Sequence, residues 1–512
     1  YRRFFKKVEA SGVVPSIYFY QNFESDSKFE NAEALGSLIK VDPEEYKHIL
    51  VDENTLFSEK QSELKELYRL LGQRYDLVVT NPPYINSSRM EASVKKYVEK
   101  NYPDTKSDLF ATFVIRCLEL CKDDGLTGYM TPFVWMFISS YEKLRKRIID
   151  KHFINNLIQL EYSGFDGATV PICTFTLRKR YIENARGSYI RLSDFKGSEN
   201  QAPKALEAIQ NPQCGWFYTA NQKDFEHLPS LRIGYWLSQK SIASFENSKV
   251  IGQMGVARRG LQPGYPDKFK RRWFEVSSTN TQKEYKERIL SINDNYKWYY
   301  YNDGGDSLRW FGTLNYIINW EDDGLNIKKC GKAIIPNEKL YFKEGITWNK
   351  ISSGPIKARF LEKGIISGDA APFFISNNPL VFIGFFNSKV TVEILKLLSS
   401  TMNLTTGNIA EIPFATICAD DENTIIKLSK QNIFISKYVW NSRETSWDFR
   451  KSPLIDSKMN ELGSDTQQLE FPTHVTSPKE NILLQRAYDR YRSKSSEMFF
   501  QLHRNEEELN RK

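Results

Sequence analysis

The sequence has 512 residues, of which 40% are hydrophobic and 26% are charged, and its formal net charge is +8 at pH 7. Its length indicates two to four domains, at about 150 residues per domain, and its apolar content is enough to build real cores. No run of about 18 apolar residues occurs, so we predict no transmembrane helix and no membrane partner. The basic excess fits either a polyanionic partner or an ordinary solvated surface.

The cysteines and histidines show no metal-binding pattern. The six cysteines are scattered without a CxxC pair, and the five histidines form no HExxH. Cys117 and Cys121 are one helical turn apart, as two core residues of one helix would be. We therefore predict reduced cysteines, no bound metal and a cytoplasmic protein.

The clearest local pattern is a short apolar run that ends in two prolines. Tyr75 to Thr80 has the composition of a buried parallel strand. It stops at the NPPY sequence of residues 81–84, because proline has no N–H for the ladder and two in a row cannot continue a central strand. Upstream, the pattern predicts a strand over 16–20 and a helix over 59–73.

Helices and strands alternate after this run. Residues 108–121 form the strongest amphipathic pattern, and Ser107 or Asp108 can cap that helix. The alternation predicts an α/β fold with a doubly wound, Rossmann-like parallel sheet, whose ligands bind at the carboxyl ends of the strands. The other predicted elements are a helix over 91–101, a strand over 126–131, a helix over 139–151 and strands over 153–160 and 170–177.

Changes in composition divide the chain into four parts. Residues 1–180 hold the alternating pattern, and residues 181–249 have the character of a linker with helical pieces. Residues 250–415 are rich in glycine, tryptophan, tyrosine and short β-type runs, which predicts an α+β domain. Residues 416–512 are mostly charged and are predicted to be helical.

The NPPY sequence has the groups needed to bind an exocyclic amine for methyl transfer. Such a nitrogen is a poor nucleophile because its lone pair is delocalised, and two acceptors aimed at its hydrogens favour a more tetrahedral form. The Asn81 side-chain oxygen and the Pro82 carbonyl can supply them, held stiffly by the two prolines, and Tyr84 offers a flat face for stacking. The alternative is a proline turn with a packed tyrosine.

The stretch Tyr75–Tyr84 (YDLVVTNPPY) resembles the catalytic motif of S-adenosylmethionine-dependent amino-methyltransferases. Lys106–Phe110 (KSDLF) and Val170–Lys179 (VPICTFTLRK) resemble later motifs of adenine-specific DNA methyltransferases. Ser139–Ile148 (SSYEKLRKRI) and Tyr1–Lys7 (YRRFFKK) are similar to the PglX methyltransferases of the BREX phage-defence systems. The resemblance covers most of the first 415 residues.

This resemblance implies a class I methyltransferase sheet, incomplete at its N-terminus, followed by a target-recognition domain in residues 250–415. Asn81, Pro82, Pro83 and Tyr84 would hold the target adenine, which must swing out of the duplex at a cost of a few kcal/mol. By the same resemblance, Phe165 would stack against the flipped base, although it can equally be a core aromatic at a loop.

The resemblance also implies S-adenosylmethionine as the methyl donor. Gln21 and Asn22 would lie near its adenine, and Asp108 would either lie near it or cap a helix. The glycine-rich cofactor loop of the family should precede NPPY, but no GxG occurs in residues 1–80. We therefore expect the chain to begin downstream of that loop, and we expect it neither to methylate DNA nor to bind the donor at micromolar affinity by itself.

A basic stretch predicts contact with double-stranded DNA. Residues 258–275 combine glycines and prolines with arginines and lysines, which predicts a loop that meets phosphates or guanine edges; a solvated basic loop is the alternative. Residues 387–389 and 406–413 resemble the closing segment of target-recognition domains. The five basic candidates are Arg258, Arg259, Lys268, Lys270 and Arg271.

Together these features predict site-specific N6-adenine methylation of duplex DNA in a phage-defence or restriction–modification system, with other BREX proteins as candidate partners. Two alternatives stay open. The same motif serves protein-glutamine and RNA methyltransferases, although these are generally smaller and lack a large C-terminal domain. The other alternative is a non-catalytic DNA-recognition subunit of a defence complex.

Overall fold

A computed structural model describes residues 18, 20–23, 26–49, 58–162, 164–165, 170–282, 296–352, 354–399, 403–453 and 484–512. The chain forms two compact units, Tyr1–Ser238 and Gln239–Lys512. The predicted strand over 16–20 falls largely outside the described residues. Among the helices that the structure describes, none is long and apolar enough to cross a membrane.

The first unit is built on a six-stranded sheet. Its strands are β1 (Tyr75–Thr80), β2 (Cys121–Pro132), β3 (Phe153–Gln159), β4 (Ile172–Arg178), β5 (Arg186–Arg191) and β6 (Phe217–Asn221). Its helices are α1 (Ala32–Leu35), α2 (Ser58–Gly72), α3 (Ala92–Asn101), α4 (Leu109–Leu120), α5 (Glu142–Lys151) and α6 (Ser198–Gln210). The strand order is β1-β2-β4-β3-β5-β6, and the expected α/β, Rossmann-like fold is confirmed.

Strand β4 makes the sheet mixed rather than parallel. It runs antiparallel to both of its neighbours, β2 and β3, whereas β1, β2, β3 and β5 share one direction. The described residues between β3 and β4 contain no helix. Without a helical crossover the chain turns back along the strand it has just left, which gives an antiparallel pair. The prediction of an all-parallel sheet is therefore wrong at β4.

Residues 181–249 contribute to this sheet, although the sequence suggests a helical linker there. Strand β5 pairs in parallel with β3, and β6 pairs antiparallel with β5. Helix α6 lies between them in the chain. Tyr189 and Ile190 of β5 are both buried, because an inner strand is covered on both faces. The linker prediction is wrong for this part of the chain.

Helix α4 supplies the core beside β1 and β2. Its buried residues include Phe110, Val114 and Cys117, which lie at helical spacing, and Asp108 is its N-cap residue. Cys117 lies in the helix, whereas Cys121 is its C-cap and the first residue of β2; both are buried free thiols. The expected amphipathic helix is confirmed, but it ends at Leu120, before the second cysteine.

Strand β1 is an edge strand among the described residues, where it pairs with β2 alone. Leu77 is 60% exposed and Val79 is 69% exposed. These two residues are separated by one position, so they share a face of the sheet. The expectation of a fully buried strand is wrong for this face, because the described residues leave it uncovered.

Arg145 of α5 joins two segments of the first unit from a fully buried position. Its Nη1 donates to the carbonyls of Trp135 at 2.6 Å and Ile138 at 2.8 Å. Its Nε and Nη2 donate to the Ser230 carbonyl at 3.0 and 2.7 Å. The planar guanidinium therefore pairs with three carbonyls from two segments through donors in fixed directions, a geometry that a compact ammonium group does not reproduce.

Replacing Arg145 by Lys should lower the free energy of unfolding of the first unit by about 1–3 kcal/mol, the cost of leaving one buried carbonyl unpaired. Denaturant titration followed by tryptophan fluorescence measures the change. Arg147→Lys, two positions along the same helix, is the control and should stay within about 0.5 kcal/mol of wild type. Equal losses in the two variants would contradict the assignment.

The second unit is an α+β arrangement, as the sequence predicts. Its strands are β7 (Lys249–Val250), β8 (Gly255–Arg258), β9 (Lys270–Arg272), β10 (Trp298–Asn302), β11 (Tyr316–Asn319), β12 (Gly345–Thr347), β13 (Arg359–Leu361), β14 (Ile366–Ser367), β15 (Phe373–Ser376) and β16 (Pro413–Phe414). Its helices are α7 (Gln239–Asn247), α8 (Pro266–Phe269), α9 (Glu321–Lys328), α10 (Pro379–Phe386), α11 (Lys389–Leu398), α12 (Thr406–Ala410), α13 (Ala419–Asn441) and α14 (Leu484–Leu509).

This unit contains two four-stranded sheets, β14-β10-β11-β9 and β13-β12-β15-β8. Strand β10 contributes side chains to an apolar cluster on each of its faces. Tyr299 and Tyr301 pack in one apolar cluster, whereas Tyr300, on the opposite face, packs in another. Much of the high aromatic content of the chain is thus used for packing. The C-terminal helix α14 joins this core through Glu506, which accepts the indole N–H of Trp310 at 2.8 Å.

Candidate functional site

The NPPY sequence leaves the end of β1 with its polar groups accessible. Asn81 is exposed and Pro82 is buried. The Tyr84 hydroxyl lies 2.8 Å from the Asn81 side-chain oxygen and 3.1 Å from the carbonyl oxygen of Met130 on β2. Tyr84 itself is 37% exposed. An amide oxygen and an aromatic ring are therefore both within reach of a planar substrate.

The tyrosine hydroxyl reaches a carbonyl beyond the point where the β1–β2 pairing stops. The last paired residues are Thr80 of β1 and Tyr129 of β2. Two prolines follow Asn81, and neither has an N–H to continue the ladder. Met130 comes next on β2, and its carbonyl oxygen lies 3.1 Å from the Tyr84 hydroxyl. Sequence reasoning misses Met130, because a backbone acceptor leaves no signature in residue type.

The far end of the NPPY loop is fixed to the start of α4. The Leu109 N–H donates to the Ile85 carbonyl at 3.0 Å, and the Ser87 N–H donates to the Ser107 carbonyl at 3.0 Å. Asn86 and Asp108 form an antiparallel bridge between these bonds. With prolines on one side and this short ladder on the other, Tyr84 is held from both ends.

Asp108 acts as the cap of α4. Its side chain accepts the N–H of Phe110 at 3.2 Å and is almost fully buried. Burial raises the pKa of Asp108 to about 6, and hydrogen bonds from the backbone N–H groups of Phe110, Ile85 and Leu109 oppose that rise. Of the two roles that the sequence leaves open, capping is the one with contacts in the structure.

Tyr84 is backed by other aromatic rings. Its ring meets that of Phe110 edge-on, at 6.4 Å between centroids, and Phe110 packs against Tyr141 at 5.4 Å. Phe165, the second aromatic candidate, is 42% exposed, which argues against a fully buried core role. Its contact with a substrate base stays a prediction.

The three cofactor candidates are all used in internal contacts. The Gln21 amide donates to the Glu63 carboxylate, and the Asn22 side-chain oxygen accepts the N–H of Glu33 at 3.0 Å. Asp108 caps α4. The expectation that Gln21 and Asn22 lie near the adenine of S-adenosylmethionine stays a prediction. Within the described residues, no group of three or more metal-ligating side chains occurs.

The basic candidates in the second unit fall into two groups. Arg258, Arg259 and Lys268 are exposed. Lys270 is instead paired with Asp303 at 2.6 Å, and Arg271 donates to the Lys270 carbonyl at 2.7 Å.

Lys270 and Arg271 also belong to strand β9, which pairs with β11. The expectation of a continuous basic loop over residues 258–275 is wrong there. The charge of a half-buried lysine with a close carboxylate partner is neutralised within the fold, so it contributes little to the attraction of a phosphate.

Comparison with known proteins agrees with this arrangement. Residues 6–165 match the Eco57I restriction-modification methylase family. The adenine-specific methyltransferase PglX of Lacticaseibacillus casei (strain Zhang) is 31% identical over 94% of this chain and 41% of its own length. The adenine-specific methyltransferase BrxX of Escherichia coli O9:H4 (strain HS) is 32% identical over 84% of this chain and 36% of its own length. The chain is thus similar in sequence to the PglX and BrxX methyltransferases over most of its own length.

The resemblance to the PglX family expected from the sequence is thereby confirmed. The chain spans less than half the length of these two curated relatives. A structure of the Type IIL restriction-modification enzyme MmeI in complex with DNA has a TM-score of 0.47 at 12% identity, over 71% of this chain and 49% of the other. That likeness is too distant to assign a function.

Replacing Asp108 by Asn should change how stability depends on pH. The pKa of about 6 in the folded chain lies above that of an exposed aspartate, about 4, so the folded form binds the proton more tightly. Wild-type stability should therefore fall as the pH rises from about 4 to about 6, and the Asn variant should lack this loss. Denaturant titrations at several pH values measure the difference.

Asp108→Ala is the matched control for the cap. Its stability should show the same pH dependence as that of the Asn variant. Its free energy of unfolding should be lower by about 1 kcal/mol at each pH, because the oxygen that accepts the helix N–H is gone. A difference between wild type and Asp108→Asn that does not vary with pH would contradict a buried carboxylate at this position.

Proposed function

We propose that this chain carries the catalytic and target-recognition parts of a site-specific DNA adenine N6-methyltransferase of a BREX or restriction–modification system. The observation that carries the proposal is the exposed amide of Asn81 at the carboxyl end of β1, beside the partly exposed ring of Tyr84. Substrates of such sheets bind at this edge. The names of the PglX and BrxX relatives support adenine as the target.

The residues of this site would prepare the adenine amine for methyl transfer. The Asn81 side-chain oxygen and the Pro82 carbonyl accept its two hydrogens, which concentrates the lone pair on nitrogen. Pro82 and Pro83 fix these acceptors before the substrate arrives, so little reorganisation is needed during the reaction. The Tyr84 ring stacks on the base, and Phe165 is proposed as a second stacking ring.

The methyl donor proposed is S-adenosylmethionine, which supplies an electrophilic methyl group. Gln21 and Asn22 are proposed to lie near its adenine, whereas the contacts of Asp108 assign it to the cap of α4. The second unit is proposed to read double-stranded DNA, with Arg258, Arg259 and Lys268 as the exposed cations that meet the backbone. Other BREX proteins are proposed partners.

Replacing Asn81 by Ala in the full-length protein should reduce adenine methylation of DNA by about a thousandfold, because removing one preorganised group of this kind costs about 10²–10³ in rate. Transfer of labelled methyl groups to duplex DNA measures the loss. Asn155→Ala changes an exposed asparagine on β3 of the same sheet and should retain activity.

Each alternative function has its own outcome in this assay. Asn81-dependent methylation of protein or RNA, with DNA unmodified, would indicate a glutamine or RNA methyltransferase. DNA binding without any Asn81-dependent methylation would indicate a recognition subunit.

The exposed and paired cations should differ in their effect on DNA binding. Arg259→Ala should lower the slope of log K against log salt by about one unit, because one phosphate contact fewer releases one counterion fewer. Lys270→Ala should leave the slope unchanged, since this lysine neutralises Asp303. A salt series of binding titrations measures both. A lower slope for Lys270→Ala alone would overturn this division.

A further inference from the structure

We propose that Tyr84 is a positioning residue for Asn81 and acts through its hydroxyl group, a role separate from stacking by its ring. The inference rests on the proposed function. It starts from one contact, the 2.8 Å distance between the Tyr84 hydroxyl and the Asn81 side-chain oxygen. A hydroxyl carries one proton and an amide oxygen has two lone pairs, so this bond leaves one acceptor position on Asn81 for a substrate amine.

The hydroxyl restrains the rotation of the Asn81 amide through this hydrogen bond. The oxygen and the NH2 group of an asparagine have nearly the same shape, so the two ends can exchange by rotation of the side chain. An NH2 group turned toward a substrate amine presents donor to donor and repels it. In the structure the hydroxyl faces the oxygen end, and donation of its proton there stabilises the orientation in which the amide can accept.

The hydroxyl is itself held where it can do this. The Met130 carbonyl oxygen lies 3.1 Å from it, farther than the Asn81 oxygen at 2.8 Å, so the single proton favours Asn81. The Tyr84 ring rests edge-on against Phe110, and the next residue, Ile85, is bonded to Leu109. The tyrosine is thus placed by α4 and the proline pair, neither of which depends on the substrate.

The test is Tyr84→Phe in the full-length protein, which removes the hydroxyl and keeps the ring. We expect kcat for DNA methylation to fall about tenfold, the typical effect of one hydrogen bond, with KM for DNA unchanged. Stacking of a 2-aminopurine placed at the target position should be retained. Tyr181→Phe, which loses a tyrosine hydroxyl elsewhere in the same unit, is the control and should behave as wild type.

A double-mutant cycle distinguishes positioning from a general structural effect. In an Asn81→Ala background the Tyr84→Phe change should reduce the rate by less than about twofold, because the group it positions is gone. A full tenfold loss in that background, or an unchanged kcat for Tyr84→Phe alone, would overturn the inference. If Asn81→Ala itself leaves methylation intact, it is the proposed function that fails.

Discussion

The candidate site depends on one constraint: two prolines in succession have no N–H groups with which to continue a β-ladder. Strand β1 must therefore separate from β2 after Thr80. This separation exposes the Asn81 amide and leaves the Met130 carbonyl to a side chain instead of a backbone partner. The pyrrolidine rings of the two prolines also limit the motion of the loop. The sequence feature that ends the strand therefore also holds the Asn81 acceptor rigidly.

The helices and strands of the first unit could be predicted because the spacing of their apolar residues is visible within a short stretch of sequence. Strand β1 has the predicted bounds, and α4 has its predicted cap, since hydrophobic spacing and an acidic N-cap residue are visible along the sequence. Strand direction and exposure are not local. Whether β4 runs parallel or antiparallel depends on the path of the chain before it, and the burial of Leu77 and Val79 depends on what else covers that face.

The side chains of the site could be predicted from the sequence, but the hydrogen bonds between them could not. Asn81 and Tyr84 stand out as residue types in a rare sequence, yet their mutual contact and the part played by Met130 require coordinates. The basic segment gives the same lesson. Lys270 and Arg259 look alike in the sequence, and only the position of Asp303, 33 residues from Lys270 along the chain, tells them apart.

Hydrogen exchange at the edge of β1 can report whether another strand pairs with it. Its outward-facing N–H groups have no partner among the described residues, so their hydrogens should exchange with solvent quickly, whereas those bonded between β1 and β2 should exchange slowly. Any chain that added a strand at this edge would protect those same amides. Deuterium uptake over six residues, Tyr75 to Thr80, would thus register the addition of a strand directly beside the NPPY loop.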